Sequence, residues 1–284
     1  MNLLHLRLPL VALALAITFA GCDNAGSDTD NASDAEETEA AAVVVANAIA
    51  VDGGGALNDA AGIASFGDGD ALGGGEPGCT VERSFDPATM TWTRTIDCER
   101  GDPDGAFYAA FSRTHELQFF NDGVPQQPAE GADSLHLVIV DGTGVRWNPV
   151  LYHELQDIGG DFAIGDLDEE LVTVNGTYNR SALDSVRTRR AIRTVDYDLA
   201  LTFDDVRGPR RVRHNWHRAV SGTLSGTYDA TVTIQRAGST QTREVHRTFT
   251  IVFGGESDPG VATLRMGGQT YRVDLETGMV AGVN

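Results

Sequence analysis

Seven histidines and three cysteines are the residues of this chain best equipped for metal or nucleophilic chemistry, so their spacing comes first. His214 and His217 stand in HNWH; read as strand, an offset of three sends them to opposite faces, and a shared metal is not expected. The same alternation separates His115 from Glu116 and His153 from Glu154, while His136 and His246 are isolated. No HExxH, GxSxG or phosphate-loop pattern occurs. The carboxylates Glu99, Asp102, Asp104 and Asp161, Asp166, Asp168 could tie a calcium ion, but their spacing reads as exposed turns. No cofactor and no metal are expected, and a non-catalytic role is the leading reading. A pocket that brought His153, Glu154 or His115 to a carboxylate would argue instead for a hydrolase assembled from distant strands.

The third cysteine belongs to different chemistry. Arg7 precedes an apolar run, Leu8–Phe19, too short to span a bilayer as a helix and of the length of a signal-peptide core. TFAGC follows, with Ala20 and Gly21 directly before Cys22 and Phe19 where Leu is usual. This resembles the lipobox of bacterial lipoproteins. The resemblance covers the first 22 residues, and the body matches no characterised family. It implies removal of residues 1–21, acylation of Cys22, and a location in the cell envelope, lipid-anchored on the periplasmic or surface face of the outer membrane.

Residues 22–39 carry Asp28, Asp30, Asp34 and Glu36 and, after Cys22, no Val, Ile, Leu or aromatic residue. A segment that buries so little cannot offset its ordering entropy, and a flexible acidic tether is expected. Residues 40–78 are rich in Ala and Gly and predict short helices near 38–50 and 56–65. The β domain begins at residue 79.

In CTVERSFDPATMTWTRTIDC (79–98), two alternating runs flank the turn Asp86-Pro87-Ala88-Thr89. Pairing Phe85 near Trp92 puts Cys79 opposite Cys98. With Cys22 lipidated these two remain, in a compartment that permits disulfides, and a bridge closing the hairpin is expected. Beyond it, strands are predicted near 106–120, 133–140, 149–158, 170–181, 188–204, 210–224, 226–237, 241–254, 261–266 and 269–275. Val195, Tyr197, Leu199, Leu201 and Phe203 share one face of such a strand, with polar residues on the other. The fold class is therefore mainly all-β: a large antiparallel meander forming a curved sheet or partial barrel.

A weak internal repeat at an offset of 50 matches Gly176-Thr177-Tyr178 with Gly226-Thr227-Tyr228, and Arg193, Val195, Phe203 and Pro209 with Arg243, Val245, Phe253 and Pro259. It reads as one strand pair used twice. The nine arginines between Arg187 and Arg218 could hold an anion or a lipid headgroup. Cross-strand pairs of Arg211 and Arg213 with Asp196, Asp198, Asp204 and Asp205 are the favoured account.

The net charge of −20 removes the basic footprint that nucleic-acid binding requires. The expected partners are the membrane, through the anchor, and an apolar ligand or an envelope protein. The leading reading is a membrane-anchored binding or structural domain; alternatives are an envelope hydrolase, a lipid-carrier-like half-barrel and a transmembrane barrel.

Overall fold

The computed structural model describes residues 34–51, 55–59, 78–210, 213–254 and 257–282, without the side chains of 213–215. The leader, Cys22, the tether before Asp34 and residues 60–77, with most of the helix expected near 56–65, lie outside the described residues.

Thirteen antiparallel strands build the fold, twelve of them in one meander. The first group is β1 (Cys79–Asp86), β2 (Thr91–Gly101), β3 (Tyr108–Asn121) and β4 (Val124–Gln126), the last a short flap on β3. Next come β5 (Ser134–Trp147), β6 (Leu151–Gly165), β7 (Leu171–Arg187) and β8 (Ala191–Pro209). The series ends with β9 (Ser221–Arg236), β10 (Ser239–Phe253), β11 (Val261–Met266), β12 (Gln269–Asp274) and β13 (Val280–Gly282). Neighbours in sequence are neighbours in the sheet, and the ladder ends at β1 and β13 without closing. Register shifts at Thr114/His115, Leu155/Asp157, Val174/Gly176 and Asp204/Arg207 bend it, because an extra residue on one strand locally strengthens twist and coil.

One face is packed. Its cross-strand rows follow from the register: Leu117, Leu137, Phe162, Gly176, Phe203, Leu224 and Ile251 form one such row. Helix α1 (Asp34–Ile49) lies on this face over β10–β13. Its Ala41, Ala42, Val45, Ala46 and Ile49 are buried, and the alanines let the helix axis come close to the sheet. The acidic first turn meets inward arginines: Glu37 pairs with Arg243 at 2.5 Å and Asp34 with Arg247 at 2.5 Å. Past Gly55 a helical turn at 56–59 buries Leu57 and brings Asp59 to Arg113 on β3. Residues 34–51 and 55–59 thus contact both β10–β12 and β3 on the inner face.

The architecture is the mainly β, open curved meander expected, and the hairpin register is Phe85↔Trp92 and Cys79↔Cys98, with the disulfide formed. Three local expectations are corrected. First, helix α1 starts at Asp34, inside the segment read as tether, because Arg243 and Arg247 give its acidic turn partners. Second, the strand expected at 210–224 forms, among the described residues, only from Ser221, where β9 begins. Arg213–Arg218 is a 3-10 turn burying Trp216 and His217, and Trp216 packs so tightly on Gly208 that a β-carbon there would fall 2.2 Å from its ring. Third, Gly142 and Gly160, which fall between the strands predicted at 133–140, 149–158 and 170–181, lie inside β5 and β6, and Gly226, where the strand predicted at 226–237 begins, lies inside β9. Gly142 faces Ile158, Gly160 faces Phe162 and Gly226 faces Phe249, with hypothetical β-carbons at 2.2, 2.5 and 2.8 Å from those side chains. Each makes room for a bulky neighbour on the inner face.

Candidate functional site

Two regions concentrate polar chemistry: a buried network on the inner face and an open groove on the outer face.

The inner network grows from alternation. In β6 and β7, His153 and Asp184 are directly opposed inward residues. Nδ1 of His153 lies 2.5 Å from Oδ1 of Asp184, and Nη2 of Arg180 lies 2.9 Å from Nε2. A guanidinium can only donate, so Nε2 must offer its lone pair and the imidazole proton must sit on Nδ1, donated to Asp184. Arg180 is buried and also bonds the Tyr197 hydroxyl. Burial pushes the Tyr197 phenol up to about 12, with Arg180 opposing. Tyr178 and Tyr228 are raised further, again chiefly by burial. On β3, Arg113 pairs with Asp59, and its guanidinium carbon lies 5.7 Å from the Phe111 ring centroid. His115 is pushed down to about 3 by burial, then by the charges of Arg113 and Arg94.

The charge on this face is sorted by sign. Arg94, Arg113, Arg180, Arg193, Arg243 and Arg247 all take inward positions, and Asp184 is the one inward strand carboxylate among the described residues. The missing negative charge comes from Asp34, Glu37 and Asp59 on the segment that crosses the face.

These contacts answer several sequence expectations. His153 does meet a carboxylate, Asp184, which sequence reasoning missed because the partner is 31 residues away; the pairing of two long strands was the signal that could have found it. Glu154 points outward, where it accepts from the Tyr152 hydroxyl at 2.8 Å. His136 and His246 are not isolated but pair with the exposed Asp161 and Asp229. The strand-period argument about His214 and His217 does not apply in a 3-10 turn: His217 is buried 3.7 Å from Glu276, and the His214 side chain lies outside the described residues. The expected pairs of Arg211 and Arg213 lie outside the described residues, while Asp196 and Asp198 sit opposite Thr231 and Asp229 of β9. Asp198 instead accepts from Ser181, and Asp205 from Asn175. In the acidic loops, Asp102 caps the Asp104 amide and Asp166 accepts from Thr173. Among the described residues no group of three or more His, Cys, Asp or Glu could hold a metal ion.

The groove crosses the outer face of β1, β2, β3, β5 and β6 and has a volume of about 1110 Å³. Ala110, Ser112, Thr143 and Val145 form a floor of small side chains. Asp97 and Glu99 stand along one wall, Tyr152, Glu154 and Gln156 along the other, and among the described residues no basic one lines it. The Cys79–Cys98 disulfide backs the first wall. Beside the groove, Tyr108, Trp147 and Tyr152 occupy one cross-strand row, with the first two rings 6.2 Å apart. Tyr108 bonds Glu99 just as Tyr152 bonds Glu154, and the Glu154 contact raises the Tyr152 phenol above its ordinary value.

No protein-family model matches the chain, and no curated protein or solved structure matches it. The functional reading therefore rests on this geometry and on the lipobox-like sequence that ends at Cys22.

Proposed function

We propose that this protein is a membrane-anchored envelope lipoprotein whose β domain binds a ligand without transforming it. The carrying observation is the contrast between its two polar regions. The groove is open and built on paired strands, the kind of rigid support that recognition surfaces use. The His153–Asp184 pair has the composition of a catalytic dyad, but Nε2 accepts from Arg180 and has no lone pair left to take a proton from a substrate.

The alternatives fit less well. A lipid carrier needs an interior that an apolar ligand can enter, and the buried side chains of Ala41, Ala42, Val45, Ala46, Ile49 and Leu57 fill part of the inner face. A transmembrane barrel needs every strand edge paired, and this sheet is open at β1 and β13.

The anchoring is tested by feeding labelled palmitate to cells making the full chain. Label is expected in the protein, is lost in Cys22→Ala, and its loss moves the protein out of the membrane fraction. A Cys22→Ala protein that stays membrane-bound overturns the lipid anchor.

A further inference from the structure

The geometry points to an uncharged linear oligosaccharide as the ligand of the outer-face groove, an assignment that rests on the binding reading above.

Length comes first. The groove spans five strands, or four spacings, about 19 Å at the usual distance between strands, enough for roughly three or four pyranose rings. Its carboxylates do not converge. Asp97 and Glu99 on β2 are three strand spacings, about 14 Å, from Glu154 on β6, too far to share one small cation. A ligand that uses both walls must be extended.

Charge comes next. Among the described residues three carboxylates and no base line the groove, so a phosphorylated or sulfated chain would be repelled along its whole length. Thr80, Ser112, Thr143 and Gln156 add groups that exchange hydrogen bonds with hydroxyls, set among the apolar Ala110, Phe111, Val145 and Leu155. Glu99 and Glu154 are each held by a tyrosine hydroxyl and keep further lone pairs for a ligand. Sugar hydroxyls are donors that such fixed acceptors suit.

Ring faces come last. Tyr152 is 37% exposed at the groove wall and lies in one row with Trp147 and Tyr108. The exposed Tyr152 ring gives the apolar C–H face of a sugar a surface to cover, with its polar tip at the margin, while Trp147 and Tyr108 stand beside the groove with their rings inclined at 41°. The floor of Ala110 and Ser112 leaves space above the sheet for the ring.

The test uses full-chain lipidated protein in a detergent that contains no sugar. Titration calorimetry is run with the tetramers of N-acetylglucosamine and of glucose, and with spermidine as the cationic comparator. Binding of at least one tetrasaccharide is expected, weakened about tenfold by Tyr152→Ala, the loss of one stacked aromatic contact, and abolished by Val145→Arg, which fills the floor. Circular dichroism of both variants verifies the fold, and Val140→Arg, an exposed position outside the groove, should bind as the parent does. Binding of spermidine with neither sugar overturns the assignment, as does binding of nothing. Sugar binding that survives both variants removes it from this groove. Palmitate label is read on the same preparations: labelled protein that ignores the sugars refutes the ligand alone, and unlabelled protein refutes the anchor.

Discussion

Arg180 donates to Nε2 of His153 across 2.9 Å, so this histidine serves as an acceptor that orients a buried arginine. The proton it retains goes to Asp184, and the three side chains form one chain of directed hydrogen bonds. In 15N spectra of the protein at neutral pH, His153 is expected as the Nδ1–H tautomer. Arg180→Gln should release Nε2 and let the tautomers mix. An Nε2–H signal in the parent protein would mean that the pairing with Arg180 does not exist.

His115 should make folding stability fall in mild acid. Its folded value is about 3 against an ordinary 6.5, so between those limits the unfolded chain binds a proton that the folded one does not. Stability therefore rises with pH through that window and is lost as pH drops, by about 1.4 kcal/mol per pH unit for this group. Other groups titrate as well, so the measurement is a difference: chemical denaturation of the parent and of His115→Gln at pH 6.0, 5.0 and 4.0. The parent should lose stability faster by roughly that slope, and parallel curves would refute the burial of a neutral imidazole.

The disulfide should stabilise the domain. Cys79 and Cys98 are separated by 19 residues, and closing a loop of that size contributes about 3 kcal/mol in the chain-entropy account. The double variant Cys79→Ser, Cys98→Ser should show a lower denaturant midpoint by that order, with the largest gain in amide exchange along β1.

Helix α1 should be held by packing more than by its ion pairs. Asp34 is 82% exposed at its side chain, so Asp34→Asn should cost less than about 1 kcal/mol. Ile49 is fully buried, and Ile49→Ala should cost about 2–5 kcal/mol. Equal effects in urea unfolding would contradict this division.

The strand glycines can be separated by space alone. At Gly226 a β-carbon would come within 2.2 Å of the Ala200 carbonyl and 2.8 Å of the Phe249 ring, whereas at Gly165 it meets nothing within 4 Å. Gly226→Ala should lower stability by about 1–3 kcal/mol, and Gly165→Ala should be neutral or slightly stabilising. Thermal unfolding of the two variants compares them directly.

Strand periodicity was legible wherever polar and apolar residues alternate, as from Val195 to Phe203, and so was the hairpin whose turn and paired aromatics bring its cysteines together. The ends of strands were not legible, because Gly142 and Gly160 look the same in sequence whether they stop a strand or admit a neighbouring side chain. The internal repeat had more content than its few identities suggested. Tyr178 and Tyr228, Arg193 and Arg243, Val195 and Val245, and Phe203 and Phe253 all take inward positions, so what repeats is the lining of the inner face.

By itself, the order of residues determined the class of fold, the face each strand side chain takes, and the pairing of two cysteines across a short turn, because all of these depend on local geometry with a period of two. Only the tertiary structure decided that Asp184 meets His153, that Asp34, Glu37 and Asp59 neutralise an inward stripe of arginines, and that five strands leave a groove between their outer walls. Those relations join residues tens to hundreds of positions apart, and they arise from register and sheet curvature, which are set by how the whole inner face packs.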